Sequence, residues 1–243
     1  MTLKVYVGQT RSAALVSRLS ALGWGEMTVR GELPSYRTPY AFDNGVYRDW
    51  TAGVSWEGGI PVKKGKALRK SPIYPERAWW SELQWLEENL LGGGLEGSVL
   101  YPPDFIVAPD RVAGGLASLR MSAGYAYELR CMDWDRIALA VQDGMAPADV
   151  DSVRDLFSVL FVGGTSSWKA RNGQLWVDYA HEHGLLAHIG RVGTIDKVAW
   201  AIRLGADSID SCFPLWTTPR INAFIDAVEG RAPQAQPRLF GDT

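Results

Sequence analysis

Long apolar runs, cysteine and histidine are all scarce in this 243-residue chain, and each scarcity removes a class of function. No stretch approaches the roughly 18 apolar residues of a membrane span, and the opening MTLKVYVG lacks the apolar centre of a signal peptide. A cytoplasmic protein with no membrane partner is expected. The two cysteines, Cys131 and Cys212, stand far apart, without CxxC or Cys/His ligand spacing, so a structural zinc site is not expected. Two of the three histidines, His181 and His183, sit two residues apart in a helical pattern, where side chains diverge. They read as a solvated helix end, and neither a metal nor a cofactor is expected. Charge of one sign is missing too. With 25 basic against 27 acidic side chains, any nucleic-acid contact must rest on a local patch, not on the overall field.

What is present is an ordinary globular composition, 47% apolar and 21% charged, enough to bury a sizeable core in one domain. Strand patterns fall at Leu3 to Val7, Glu26 to Arg30, Pro39 to Asp43, Phe105 to Ala108, Ile137 to Val141, Phe157 to Val162, Leu185 to Ile189 and Ala206 to Asp210. Helical patterns lie between most of them: one capped by Thr10 and stopped at Gly23, one around Trp79 to Leu90, one from Gly114 to Cys131, and one beginning near Pro147. Others run from Thr165 to Gly184 with an interruption near Gly173, from Thr194 to Gly205, and from about Thr218 to Val228. Eight alternating units predict an α/β fold, a (β/α)8 barrel over residues 1–230, with a basic insertion at about 48–75 and a loosely packed tail at 231–243.

Right-handed crossovers put every strand's C-terminal end on one rim, the face where such barrels carry their sites. Asp43, Asp110, Gln142 and Asp210 stand at strand ends, and Gly163 and Gly164 follow the sixth strand. Separately, each has a plain structural use: an Asx turn before Gly45 for Asp43, a helix cap for Asp210, a tight turn for the glycines. Together they predict a site at one mouth. Lys169 and Arg191 follow strands six and seven and are candidates for holding a phosphate or a ribose edge, or are solvated helix starts. Trp168 and Tyr47 either stack on a ligand or line the core.

In these segments the chain resembles the tRNA-guanine transglycosylase superfamily, and within it the phage and bacterial DNA 7-deazaguanine transglycosylases. FDNGV at Phe42 to Val46 is similar to the family's DSGGF, APD at Ala108 to Asp110 to its AFD, and VQDG at Val141 to Gly144 to its VQGG. VGGTSSWK at Val162 to Lys169, HIGRVGT at His188 to Thr194 and GADSIDSCFP at Gly205 to Pro214 resemble its GG loop, its MGVGT turn and its nucleophile segment. The resemblance implies a pentosyltransferase that exchanges guanine for a 7-deazaguanine such as preQ0 without cutting the strand. It implies Asp210 as nucleophile, Asp43 as general acid/base, and Asp110, Gln142, Gly163 and Gly164 as readers of the base edge.

The zinc subdomain of the tRNA enzymes has no counterpart here, since only about 30 residues follow the nucleophile segment and they carry no cysteine beyond Cys212. That favours DNA as the polymer, with the target nucleotide flipped out. Phosphate contacts are expected from Lys63, Lys64, Lys66, Arg69 and Lys70 in PVKKGKALRK, which otherwise is an exposed loop without a partner. The tryptophans flanking that run, Trp50, Trp56, Trp79 and Trp80, either stack on bases or belong to the core. Three other readings stand beside this one: a tRNA-guanine transglycosylase, a catalytically inactive barrel that binds nucleic acid as a subunit, and a glycoside hydrolase using Asp43 and Asp210.

Overall fold

The computed structural model of the chain describes residues 3–32, 39–57, 60–68, 70–72, 74–92 and 101–231. Arg69 and the tail beyond Arg231 lie outside the described residues. Eight parallel strands close on themselves. They are β1 (Lys4–Gly8), β2 (Gly25–Val29), β3 (Tyr40–Asp43), β6 (Ile106–Val107), β7 (Ile137–Val141), β8 (Val159–Val162), β9 (Leu186–Ile189) and β10 (Ser208–Ser211), in the barrel order β1-β10-β9-β8-β7-β6-β3-β2. Two further strands, β4 (Val54–Glu57) and β5 (Ile60–Lys63), pair antiparallel outside the barrel. The helices are α1 (Ala13–Ala21), α2 (Val46–Ala52), α3 (Glu76–Gly92), α4 (Gly115–Cys131), the single turn α5 (Pro147–Val150), α6 (Ser166–Glu182), α7 (Ile195–Leu204) and α8 (Thr218–Val228). The α/β barrel expected from the strand and helix patterns is the fold. None of the described helices is long and apolar enough to cross a membrane.

Barrel strands buried on both faces read as continuous apolar runs, and IALAV in β7 is buried at every position. The period of two then sorts side chains between two cores. Val5, Val7, Phe42, Ile137, Leu139, Leu160 and Ile209 face the helices, while Tyr6, Met27, Ala41, Ala138, Ala140, Val159 and Phe161 fill the barrel. Outside, Trp79 of α3 is fully buried and stacks on Phe42, ring centroids 5.3 Å apart. Carrying the inward register forward along each strand reaches Asp43, Gln142, Gly163, His188 and Asp210. The site is thus the top layer of the barrel interior, where apolar filling gives way to polar groups.

Four local expectations are corrected. Ser12 caps α1, accepting from the Leu15 N–H, because the chain turns two residues later than Thr10. The helix that begins at Pro147 lasts one turn. α6 runs through Gly173 without interruption: a Cβ there would lie 2.8 Å from the Trp200 ring and 2.9 Å from Leu204, so this glycine lets α6 and α7 approach closely. The basic insertion is a helix and a hairpin. VSWE and IPVK flank Gly58-Gly59, a hairpin signal in the sequence, although that pair lies outside the described residues.

Candidate active site

The strand ends enclose a cavity of about 340 Å³ lined by Asp43, Asp110, Gln142, Gly164, Arg191 and Asp210, with Tyr47, Trp50 and Phe161 among its apolar walls. A volume of this order, lined by apolar walls with a few converging polar groups, suits a small-molecule or nucleobase site. Tyr47 lines it beneath Arg191, whose guanidinium lies 4.1 Å from the ring centroid, whereas Trp168 is buried in the core beside Trp176.

Asp210 does not cap a helix. Its Oδ1 accepts from the Arg191 N–H at 3.0 Å and is 3.1 Å from Nε2 of His188, and its Oδ2 has no hydrogen-bond partner among the described residues. Asp43, the last residue of β3, accepts the Gly45 N–H at 3.1 Å through Oδ1, so the Asx turn and a place in the cavity coexist. Burial pushes its carboxyl up to about 6, the Gly45 N–H opposes this, and the neighbouring charge of Asp210 adds to it.

Asp110, beyond the end of β6, is buried in the cavity wall. Asn44 Nδ2 donates to one oxygen at 3.0 Å and Gln142 Nε2 approaches the other at 3.3 Å. Burial dominates here as well and pushes its carboxyl up to about 7, against the two amide donors and with a contribution from Asp43. The Gln142 amide nitrogen also meets the Arg111 carbonyl and the Ser118 hydroxyl, each at 2.8 Å. Three inward acceptors, Asp110 included, share its two hydrogens, so its N–H groups are not offered to a ligand in the way the family pattern implied.

The two glycines divide as well. Gly163 donates to the Val141 carbonyl at 2.9 Å, while the Gly164 N–H is unengaged among the described residues. Gly164 sits at φ +71°, and a Cβ there would lie 2.7 Å from Asp143 Oδ2 and 2.8 Å from the Trp168 ring, so no side chain fits. Asp143 fastens this loop by accepting both the Thr165 N–H at 2.7 Å and its hydroxyl at 2.8 Å. Arg191 donates to the Gly164 carbonyl from above.

Lys169 is neither on the cavity wall nor solvated. It is buried within α6 and donates to the Gly190 carbonyl, and burial, with the nearby Arg191 charge, pushes its ammonium down to about 7. Of the basic run, Lys63, Lys64, Lys66 and Lys70 are exposed, and Lys64 pairs with Glu57 at 2.6 Å. The backbone of this run folds back on α2, Lys64 N donating to Gly53 O at 2.6 Å and Leu68 N to Trp50 O at 3.0 Å. Trp50 lines the cavity, so this run packs on the back of a wall residue, and none of its described lysines lines the cavity itself. A buried pair holds the hairpin in place: Arg30 meets Asp49, and Trp56 Nε1 donates to the same Asp49 oxygen at 2.7 Å. Arg30 Nε also donates to the Asn44 carbonyl at 3.2 Å, joining this clamp to the site.

Sequence reasoning passed over Asn44, Asp143, His188 and the Arg30–Asp49 pair. For His188 and Asn44 a signal existed, the inward parity of β9 and the side chain's place between two candidate carboxylates. Arg30 and Asp49 had none, because their partners come from folding. Among the described residues no group of three or more His, Cys, Asp or Glu side chains is arranged to hold a metal ion. No known family model matches the chain, and no curated protein matches it in sequence.

Proposed function

We propose that this barrel is a transglycosylase that exchanges guanine in DNA for a 7-deazaguanine base of the preQ0 type, and so shields phage or genomic-island DNA from nucleases. The observation that carries the reading is the pairing in one cavity of Asp210, with one oxygen pinned and one unengaged, and Asp43, whose carboxyl burial pushes up to about 6. In the first step Oδ2 of Asp210 bonds to C1′ as the C1′–N9 bond breaks, and the Asp43 carboxylic acid passes its proton to N9 of the departing guanine. In the second, the Asp43 carboxylate takes the N9 proton of the incoming base, N9 attacks C1′, and Asp210 leaves as a carboxylate. Protons balance, and Asp43 ends protonated, as it began.

Asp110 would accept from N1–H and the exocyclic amine of guanine, a donor pair adenine lacks, and those hydrogen bonds would favour its ionised form. The free Gly164 N–H suits O6. Gln142 then serves the base through Asp110, which it braces. Lys63, Lys64, Lys66 and Lys70, on the run packed against α2, supply phosphate contacts, and Tyr47 and Phe161 supply apolar walls for a flipped base.

The test is to incubate the protein with duplex DNA or tRNA carrying labelled guanine, together with preQ0, and to compare wild type with Asp210→Asn. Label is expected to leave DNA, and the variant is expected to lose activity at least about 10³-fold. Release from tRNA alone would move the substrate to RNA, equal exchange by the variant would remove Asp210 from the nucleophile's place, and binding without release would leave a nucleic-acid-binding subunit.

A further inference from the structure

We propose that His188, together with the Gly190–Arg191 peptide, forms a cradle that fixes Oδ1 of Asp210 and presents Oδ2 alone to the sugar, which makes His188 a positioning residue for the attack. The proposal rests on the reading of Asp210 as the glycosyl acceptor. Its basis is geometry that the barrel register creates.

His188 in β9 pairs with Ser208 in β10, and both side chains point inward, as does Asp210 two residues further on. One imidazole therefore spans two successive inward positions of the next strand. Its Nδ1 is 2.9 Å from Ser208 Oγ and its Nε2 is 3.1 Å from Asp210 Oδ1. A carboxylate only accepts, so Nε2 carries the hydrogen between the two, and Nδ1 meets the serine hydroxyl. The ring is fully buried and hemmed by other aromatics: Phe161 with centroids 4.5 Å apart, Phe105 at 5.3 Å and Tyr6 at 5.9 Å.

The second arm comes from the loop that follows β9. Arg191 has φ +59°, a left-handed conformation uncommon for a residue with a side chain, and its N–H donates to the same Oδ1. The carbonyl of that peptide, on Gly190, is held by the buried Lys169 ammonium. In a trans peptide the C=O and N–H point opposite ways, so a buried donor at the oxygen end orients and polarises the N–H at the nitrogen end. A carboxylate free to rotate presents either oxygen in many directions. With Oδ1 held at two points, Oδ2 has one direction left, into the cavity, and that orientation is obtained before substrate binds.

Two measurements test this. With DNA and labelled preQ0, His188→Leu is expected to lower kcat about 100-fold with little change in KM. His188→Gln, whose amide reaches the Nε2 position, is expected to recover most of that loss. His188→Asn, whose amide stops at the Nδ1 position, is expected to stay at least about 10-fold below the Gln variant. Wild-type kcat in His188→Leu overturns the cradle. If that variant fails to fold, equal rates in the Gln and Asn variants overturn it instead. Independently of any substrate, ¹⁵N resonances of the His188 ring are expected to show a protonated Nε2 that shifts in Asp210→Ala, and a ring protonated only at Nδ1 overturns the proposal. Should wild type exchange no base in DNA or tRNA, the transglycosylase reading falls, and the ring resonances still decide the cradle.

Discussion

The two sides of the barrel mouth are built differently. On the side of β7 to β10, polar groups are fixed by one another inside the fold: Asp143 holds Thr165, Arg191 holds the Gly164 carbonyl, Lys169 holds Gly190, and His188 holds one oxygen of Asp210. On the side of residues 44–72, a short helix and a two-stranded hairpin stand outside the barrel and are moored by the Arg30–Asp49–Trp56 clamp, with lysines directed to solvent. Preorganisation belongs where bonds are made and broken, since small misplacements there are costly. A polymer is served by charge at the edge, where exact geometry matters less. The difference separates chemistry from grip, and a substitution can strike either side alone.

Asp43 belongs to β3 but lines the same cavity as Asp210, and its replacement is expected to have the largest effect. Asp43→Asn keeps an acceptor for the Gly45 N–H but cannot move a proton, so exchange is expected to fall about 10²- to 10⁴-fold. Any wild-type pH break near 6 should vanish from the residual activity. Stability should move the other way. The folded-state pKa of about 6 lies above the ordinary 3.8, so the folded protein holds this proton more tightly than the unfolded chain. Its contribution is complete below about pH 4 and is lost as pH rises through 6. Above that pH the asparagine variant is expected to melt higher than wild type, by roughly 2–4 °C for each kcal/mol relieved, and the two melts should converge near pH 4. A variant that melts lower at pH 7.5 would contradict the burial argument.

On the other side, Asp49→Ala leaves Arg30 buried without its carboxylate and strips Trp56 Nε1 of its acceptor. Breaking a buried pair from one side costs about 3–5 kcal/mol, which denaturant unfolding would read directly. Hydrogen exchange is expected to rise first across β4 and β5, with β7 to β10 still protected. A loss under about 0.5 kcal/mol would show that the hairpin does not depend on this clamp.

The same contrast explains what the sequence disclosed. The barrel was legible because apolar runs such as IALAV are bounded by turn residues, and because inward parity carries Asp43, Gln142 and Asp210 to one mouth. What Gln142 and Lys169 do there was not legible, because it depends on partners brought from elsewhere in the chain. The resemblance made Gln142 a donor to a ligand, but Asp110, Ser118 and the Arg111 carbonyl share its hydrogens. Lys169 looked like a surface cation because helix starts are commonly solvated, yet α6 packs it beneath the Gly190 loop. Gly173 read as a break for the same reason: nothing in its neighbourhood along the chain announces Trp200.

The mildest intervention sharpens the comparison most. Lys63, Lys64 and Lys66 are exposed, and only Lys64 has a described ion-pair partner, Glu57. Replacing all three by Ala touches neither the clamp nor the barrel, so folding and the rate at saturating DNA are expected to stay near wild type. What should change is the response of affinity to salt. Each phosphate neutralised releases condensed counterions and contributes about 0.9 to the slope of log K against log salt on duplex DNA, or about 0.7 on a single strand. If all three reach phosphates, the slope should become shallower by roughly 2 to 3. At low salt KM should rise with kcat unchanged, the signature of lost uniform binding. An unchanged slope would take DNA off the hairpin and require another surface to hold it. A fall in kcat at saturation would mean that the hairpin also shapes the site, and the division between grip and chemistry would fail.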